Sequence, residues 1–268
     1  MVKICIDPGH SKGQNRSPVV PEYIEGERMF ALGHLLKKEL ERYQDVQVLI
    51  TREKVTDNPS LYERGNMAKG CEVLVSLHSD AADISKAGGK DVDRSTAFYP
   101  ISGNGKDLAE KLTATVASTM GLKQGGKIKT RVNSAGNADC YGVIRHAVAA
   151  GSVGLIMEHG FHTNEAVCRW LLNDSNIGKL AKAEAKVLAD YYGLKKKPGE
   201  EDEMRYNTLG DLKADKKFGD AYLPTVEKLM AKGILKGKGG DGDETILDLG
   251  EDAIRVMVIL DRNGIFGE

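Results

Sequence analysis

The sequence predicts an α/β fold: a twisted mixed, mostly parallel sheet flanked by helices, followed by a small, mainly helical C-terminal module. Short apolar runs alternate with helical patterns, and two of these runs, at residues 2–10 and 71–78, end on a histidine. Residues 195–203 form a block of mixed charge around Pro-Gly, which is typical of a solvated linker. We therefore expect a first domain at residues 1–194 and a second at 204–268.

Composition excludes several classes of protein. The 268 residues are 41% hydrophobic and 29% charged, with a formal net charge of −1. This balance is that of an ordinary globular protein and argues against nucleic-acid binding. No apolar run is long enough to cross a bilayer, so no membrane insertion is expected. The chain enters its first apolar run directly, which predicts synthesis in the cytoplasm without a signal peptide.

The first predicted element is a buried strand that starts at Val2. Asp7-Pro8-Gly9 ends it, because Pro fixes φ and Gly adopts conformations closed to other residues. The strand therefore presents His10 at its carboxyl end. Ligands bind at that edge of open α/β sheets, so His10 is a candidate functional residue.

The next elements repeat this design. Apolar residues from Met29 to Leu40 follow helical spacing, and Asn58-Pro59-Ser60 supplies a turn and an N-cap for a second helix. Strands are predicted at residues 46–50 and 71–78, and the second of them delivers His78.

The remaining elements complete the alternation. A strand at residues 153–157 leads into Glu158, and the Gly-rich segment 121–137 is predicted as mostly loop. The other predicted elements are strands at 95–99 and 141–144, helices at 105–120, near 170–172 and at 177–192, and, in the tail, helices at 222–232 and 251–262 with a Gly-rich turn at 237–242.

Three predicted strands thus bring His10, His78 and Glu158 to one edge of the sheet. Glutamates lie beside the first strand as well, at positions 22, 25 and 27. Two histidines and a carboxylate suit one zinc ion with an open position for water, and Glu158 is left to act as general base. This chemistry points to amide or ester hydrolysis. The other histidines, His34, His146, His159 and His162, are interpreted as structural.

Four motifs appear in a fixed order across about the first 190 residues. They are Asp7-Pro8-Gly9-His10, then Thr51-Arg52 with Leu61, Arg64 and Ala68, then Ser76-Leu77-His78-Ser79-Asp80-Ala81, and finally residues 157–164 around Glu158. Together they resemble the zinc-dependent N-acetylmuramoyl-L-alanine amidases of the Amidase_3 type. The chain departs from that family's pattern at His159 and His162, where small or apolar residues are more usual.

The resemblance implies one zinc ion held by His10, Glu25 and His78, with Glu27 as the alternative to Glu25. It implies that Glu158 activates the water that attacks the amide between N-acetylmuramic acid and L-alanine in bacterial peptidoglycan. Arg131, on the Gly-rich loop, is either a solvated side chain or a substrate-binding residue that meets a carboxylate of the peptide stem.

The tail weakly resembles one S-layer-homology repeat, through Phe218-Gly219-Asp220 and the run from Gly233 to Gly237. Such modules bind cell-wall polymers. The alternative interpretation is a small docking or homo-oligomerisation module.

The expected function is that of a phage endolysin or a related autolysin, which acts at the bacterial cell wall after release. Two rival functions stay open at this point. One is a non-catalytic peptidoglycan-binding protein on the same fold, and the other is a zinc endopeptidase that cuts within the stem peptide.

Overall fold

The computed structural model describes residues 1–198, 205–216, 218–235 and 246–267. The chain divides into two compact units, Met1–Glu200 and Glu201–Glu268. Part of the predicted linker, residues 199–203, and the predicted Gly-rich turn at 237–242 lie outside the described residues. The division into a catalytic domain at 1–194 and a wall-binding module at 204–268 stays a prediction.

The first unit is built on one mixed sheet. Its strands are β1 (Val2–Pro8), β2 (Val46–Ile50), β3 (Val73–Asp80), β4 (Ser95–Phe98), β5 (Gly126–Lys129) and β6 (Val153–Phe161). Their order is β2-β1-β3-β6-β4-β5. The pairs β1–β2, β1–β3, β3–β6 and β4–β5 are parallel, and only β4–β6 is antiparallel. The predicted fold class, a mixed and mostly parallel sheet with flanking helices, is confirmed.

Six helices of this unit cover the two faces of the sheet. They are α1 (Glu25–Leu40), α2 (Leu61–Met67), α3 (Lys106–Met120), α4 (Gly142–Ala149), α5 (Glu165–Leu172) and α6 (Asp174–Tyr191). Successive strand residues point to opposite faces. Ile4, Ile6 and Val75 therefore join the larger core with α1, α3, α5 and α6, while Cys5 and Leu74 join a smaller core with α4.

The strand predicted at residues 141–144 is wrong, because the chain there begins helix α4. Val143, Ile144 and Ala147 of this helix are buried in the smaller core, at the i, i+1 and i+4 spacing of a helix face. A run of four apolar residues fits a strand and a buried helix equally well, so periodicity alone did not separate them.

Strand β5 lies inside the segment predicted as loop. It is an edge strand whose Lys127 and Lys129 are exposed, and only Ile128 packs against the larger core. One apolar residue is too weak a pattern to indicate a strand. Strand β6 also runs further than predicted, three residues past Glu158 to Phe161.

A close approach of α2 to α4 requires Gly65. A Cβ added there would lie 2.4 Å from His146 Cβ and 2.8 Å from the Ala147 backbone nitrogen. We expect Gly65→Ala to lower the free energy of unfolding by about 1–3 kcal/mol through overpacking. Gly178→Ala, in α6, is the matched control: its Cβ would meet nothing within 4 Å, and it should stabilise by about 0.5–1 kcal/mol. Urea unfolding measures both, and equal effects of the two substitutions would contradict the packing argument.

The second unit contains strand β7 (Arg205–Thr208), helices α7 (Leu209–Ala214) and α8 (Gly219–Ala231), strand β8 (Ile246–Gly250) and helix α9 (Glu251–Arg262). Strands β7 and β8 pair antiparallel. The predicted helices at 222–232 and 251–262 correspond to α8 and α9. A small core forms around five buried side chains, Leu212, Phe218, Val226, Ile254 and Val258.

Among the helices of the described residues, none has the length and the apolar character that crossing a bilayer requires.

Candidate metal centre

Three of the predicted site residues come together at the carboxyl edge of the sheet. His10 follows β1, Glu25 is the first residue of α1, and His78 lies in β3. Glu25 Oε1 lies 2.9 Å from His78 Nδ1 and 3.4 Å from His10 Nε2. One ligand atom of each residue lies within 4.8 Å of the others, and within the described part of the chain this is the group able to hold a metal ion.

The backbone at His10 is held in an unusual conformation. Its φ is +58°, in the left-handed region that non-glycine residues rarely adopt. Arg64 Nη2 donates to the His10 carbonyl at 2.8 Å, and Arg52 Nη1 donates to the Gly9 carbonyl at 3.1 Å. A Cβ at Gly9 would lie 2.3 Å from the His78 ring, so only glycine lets the loop that carries His10 approach β3. This explains the glycine before His10.

The side chain of Asp7 holds this turn in place through hydrogen bonds. Its buried carboxylate accepts hydrogen bonds from Arg64 Nη1 at 2.7 Å, Thr51 Oγ1 at 2.5 Å and Ser76 Oγ at 2.6 Å. Thr51-Arg52 and Arg64, which belong to the second sequence motif, thus hold the loop that carries His10 in place.

Replacing Arg64 with Met should lower the free energy of unfolding by about 3–5 kcal/mol, because it leaves the Asp7 charge buried without its partner. The Asp7 and Arg64 side chains are only 1% and 5% exposed. The control is Arg169→Met, which breaks an exposed pair with Glu165 and should cost less than about 1 kcal/mol. Denaturant unfolding of both variants is the measurement, and an equally small loss in both would refute the role given to Arg64.

Glu25 is fully buried and its carboxylate is well satisfied. The Ser79 backbone N–H donates to Oε1 at 2.9 Å, and Asn15 Nδ2 donates to Oε2. Burial by itself favours the neutral acid, but the hydrogen bonds from His10 and His78 hold the pKa of the Glu25 carboxyl well below its usual range. Glu25 is therefore an anion placed between two imidazoles.

Two histidines lie buried behind the cluster. His159 Nδ1 donates to the His78 carbonyl at 2.9 Å, and its Nε2 lies 3.2 Å from the Glu184 carboxylate of α6. Burial disfavours the charged imidazole, yet Glu184 raises the pKa of His159. His162 Nδ1 lies 2.9 Å from the Ser79 carbonyl. The sequence gave no sign of these contacts except Glu184, a charged residue within the apolar stripe of α6.

Glu158 lies beside His78, its register partner across β3 and β6. Its side chain is buried and, among the described residues, Oε2 has no hydrogen-bond partner. Burial raises the pKa of the Glu158 carboxyl well above its usual range, and the charges of Glu25 and Asp80 raise it further. Glu158 thus lies beside His78 with one carboxyl oxygen that has no partner among the described residues.

The other candidates lie elsewhere. Glu27 is half-buried on α1 and is not part of the three-residue cluster. Arg131 is exposed on the loop after β5, where its guanidinium lies 5.7 Å from the centre of the Tyr141 ring.

The chain was compared with known proteins. Residues 4–190 match the N-acetylmuramoyl-L-alanine amidase family Amidase_3. No curated protein sequence matches the chain.

Solved structures share its fold. An N-acetylmuramoyl-L-alanine amidase from Clostridium difficile 630 is 22% identical, with a TM-score of 0.59, covering 72% of this chain and 97% of that one. The catalytic domain of the amidase CwlV from Paenibacillus polymyxa is 20% identical, with a TM-score of 0.60, covering 73% and 100%. The amidase AmiC2 of Nostoc punctiforme is 22% identical, with a TM-score of 0.59, covering 72% and 97%. With the family match across the sheet and the site, the chain belongs to the N-acetylmuramoyl-L-alanine amidase family Amidase_3.

Proposed function

We propose that the first unit uses one zinc ion, held by His10, Glu25 and His78, to hydrolyse the amide between N-acetylmuramic acid and L-alanine in bacterial peptidoglycan. The observation that carries this proposal is the cluster of two imidazoles and one buried carboxylate, with Glu158 beside it. Two histidines and a carboxylate are the donor set of catalytic zinc sites, which keep a position open for water. Bound zinc would lower the pKa of a water molecule toward about 7 and polarise the amide carbonyl.

The protein's own part in the reaction falls to Glu158. Its unpartnered Oε2 accepts a proton from the attacking water as the water oxygen bonds to the amide carbon. The same carboxyl then donates that proton to the nitrogen of L-alanine as the carbon–nitrogen bond breaks. The products are a carboxylate on the sugar and a peptide with a free amino terminus. The raised pKa of Glu158 suits this exchange, since it makes the Glu158 carboxylate a stronger proton acceptor.

The surrounding residues keep the ligands in place. Arg64 and Arg52 fix the loop that carries His10, and His159 fixes the β3 backbone at His78. Ligand orientation set in this way is what a metal site needs, since loss of such outer contacts typically costs about 10–100-fold in affinity or activity.

Mass spectrometry of peptidoglycan digested by the zinc-loaded chain tests the proposal. The expected product is a stem peptide with a free L-alanine amine. Cleavage inside the stem would instead identify a zinc endopeptidase, and binding without any cleavage would identify a non-catalytic peptidoglycan-binding protein.

We further propose that Arg131 contacts a carboxylate of the peptide stem, because its exposed guanidinium stands on the loop next to Tyr141.

For the second unit we propose binding to a secondary cell-wall polymer, with self-association into a homo-oligomer as the alternative. The exposed apolar side chains of α9, Val256 and Ile259, support an interaction role for that unit. We also propose that the chain acts at the cell wall after release, as an endolysin or autolysin.

A further inference from the structure

A row of basic side chains lies on the same face of the sheet as Glu158. Glu158 in β6 is the register partner of Thr96 in β4, and Thr96 is the partner of Lys127 in β5. Partners in neighbouring strands share a face, and two strand spacings place the Lys127 Cα about 10 Å from that of Glu158. Alternation adds Lys129 to the same face. We name Arg94, Lys127, Lys129 and Arg131 the basic strip.

The basic strip is not part of any ion pair among the described residues. The segment 121–138 contains four basic residues and no acidic one. Within the residues that the structure describes, Lys127, Lys129 and Arg131 form no ion pair. Arg94 packs its guanidinium 4.7 Å from the centre of the Phe161 ring, and its buried Nε has no hydrogen-bond partner there. The strip therefore offers several cationic groups to a ligand.

The strip also reaches the catalytic edge of the sheet. By register, Lys127 lies level with Thr96 and Glu158, whereas Lys129 lies level with Phe98 and Ile156, two residues further from that edge. Lys127 therefore brings the strip to the level of Glu158. Asp80 and Glu158 are the acidic groups that face the strip, and both are largely enclosed by protein.

The opposite flank of the metal cluster has a different character. A cleft of about 420 Å³ opens there beside His10 and His78, lined by uncharged Gln14, Asn58 and Ser60. Exposed Leu61 adds an apolar surface.

The charged residues of that cleft already have partners. Arg64 is paired with Asp7, and the Glu63 carboxylate accepts hydrogen bonds from Ser60 at the start of α2. Amide and hydroxyl groups beside an apolar side chain suit the hydroxyl and acetamido groups of a sugar. Among the described residues that line this cleft, no Lys or Arg is left without an acidic partner.

We propose that the substrate crosses the metal cluster in one direction, with its sugar in the cleft beside α2 and its peptide over the basic strip, which binds a free carboxylate of the stem. This inference rests on the proposed function and adds a substrate class to it. An extended peptide advances about 3.3–3.6 Å per residue. A carboxylate two or three residues beyond the cleaved amide therefore reaches the strip, and stems with that carboxylate free are cleaved better than stems in which it is amidated.

The test compares two soluble substrates that differ in one group, N-acetylmuramoyl-L-alanyl-D-isoglutamate and its D-isoglutamine analogue, with the zinc-loaded full chain. We expect kcat/KM to favour the free acid by about fivefold, mostly through KM, as for an ion pair open to solvent. In the variant Lys127→Gln/Lys129→Gln this ratio should fall toward one, with Arg94 and Arg131 as the cationic groups that remain. Lys111→Gln/Lys179→Gln, which alters two exposed lysines on α3 and α6, should keep it.

Equal cleavage of both substrates by the unaltered chain, or an unchanged ratio in the Lys127/Lys129 variant, would overturn the proposal. Calorimetry separates this failure from failure of the proposed function. The released dipeptide, L-alanyl-D-isoglutamate, should bind the zinc-loaded chain about fivefold more tightly than its amide, with or without turnover. The same affinity for both peptides would overturn the proposed binding of a carboxylate by the basic strip. If the chain cleaves neither substrate but still binds the free acid more tightly than the amide, only the proposed hydrolase function is contradicted.

Discussion

Replacing Glu158 with Gln is expected to lower kcat by at least about 10²–10⁴-fold, the usual contribution of a general base. Gln has the shape of Glu, so the packing around β6 is kept, but its amide accepts no proton from water. We also expect the variant to bind zinc as the unaltered chain does, since Glu158 lies beside the cluster of His10, Glu25 and His78 and is not part of it. Assays of peptidoglycan hydrolysis and of metal content on the purified chain test the fall in kcat and the retained zinc binding.

Stability supplies an independent readout for this variant. Burial opposes the ionisation of Glu158, so the neutral amide should leave the thermal midpoint unchanged or raise it. Glu165→Gln, on the exposed start of α5, is the control and should leave hydrolysis unchanged. Loss of zinc in Glu158→Gln would show that this residue is a ligand, and retained hydrolysis would remove it from the reaction.

The shared edge of His10, His78 and Glu158 was predictable because its signals are local. A short apolar run followed by a turn or a polar residue marks the carboxyl-terminal part of a strand. Strand β1 ends just before His10, while β3 and β6 continue two and three residues past His78 and Glu158. Parallel pairing of β1, β3 and β6 then brings these ends together. The direction of the three strands was therefore enough to predict that His10, His78 and Glu158 lie close together.

The parts that were missed depend on contacts between distant segments. Strand β5 has too few apolar residues to reveal its period, and the apolar run that begins helix α4 fits a strand equally well. Both elements are defined by what they pack against. The link from Glu184 through His159 to the His78 carbonyl spans three elements. No spacing in the sequence indicates such a link.

The choice between Glu25 and Glu27 was open for a physical reason. Both lie in the first turn of α1, so both are near the strand end that carries His10. Two residues differ by about 200° around a helix axis, so only one of them faces the sheet. Glu25 lies four residues before buried Met29 and seven before buried Leu32, on the stripe of α1 that packs against the core. Knowledge of where the helix begins is needed to use that signal.

Glu25→Gln is expected to weaken zinc binding by more than about 100-fold, beyond the loss seen for outer contacts of metal sites. The substitution removes the negative charge between His10 and His78. It also places an NH₂ group where the Ser79 N–H and the Asn15 amide already donate, so one donor is left facing another. That mismatch should cost about 1–3 kcal/mol of folding stability as well.

Glu27→Gln is the matched control, since it makes the same change in the same helical turn. It should keep zinc binding and lose at most about 0.3–1 kcal/mol from the favourable position of an acid near a helix N-terminus. Competition for zinc with a chromophoric chelator measures both variants. Loss of zinc binding in Glu27→Gln, with zinc binding kept in Glu25→Gln, would show that Glu27 is the ligand. Helix α1 would then be rotated so that Glu27, and not Glu25, faces the sheet. Zinc kept in both would mean that His10 and His78 bind it without a carboxylate from this helix.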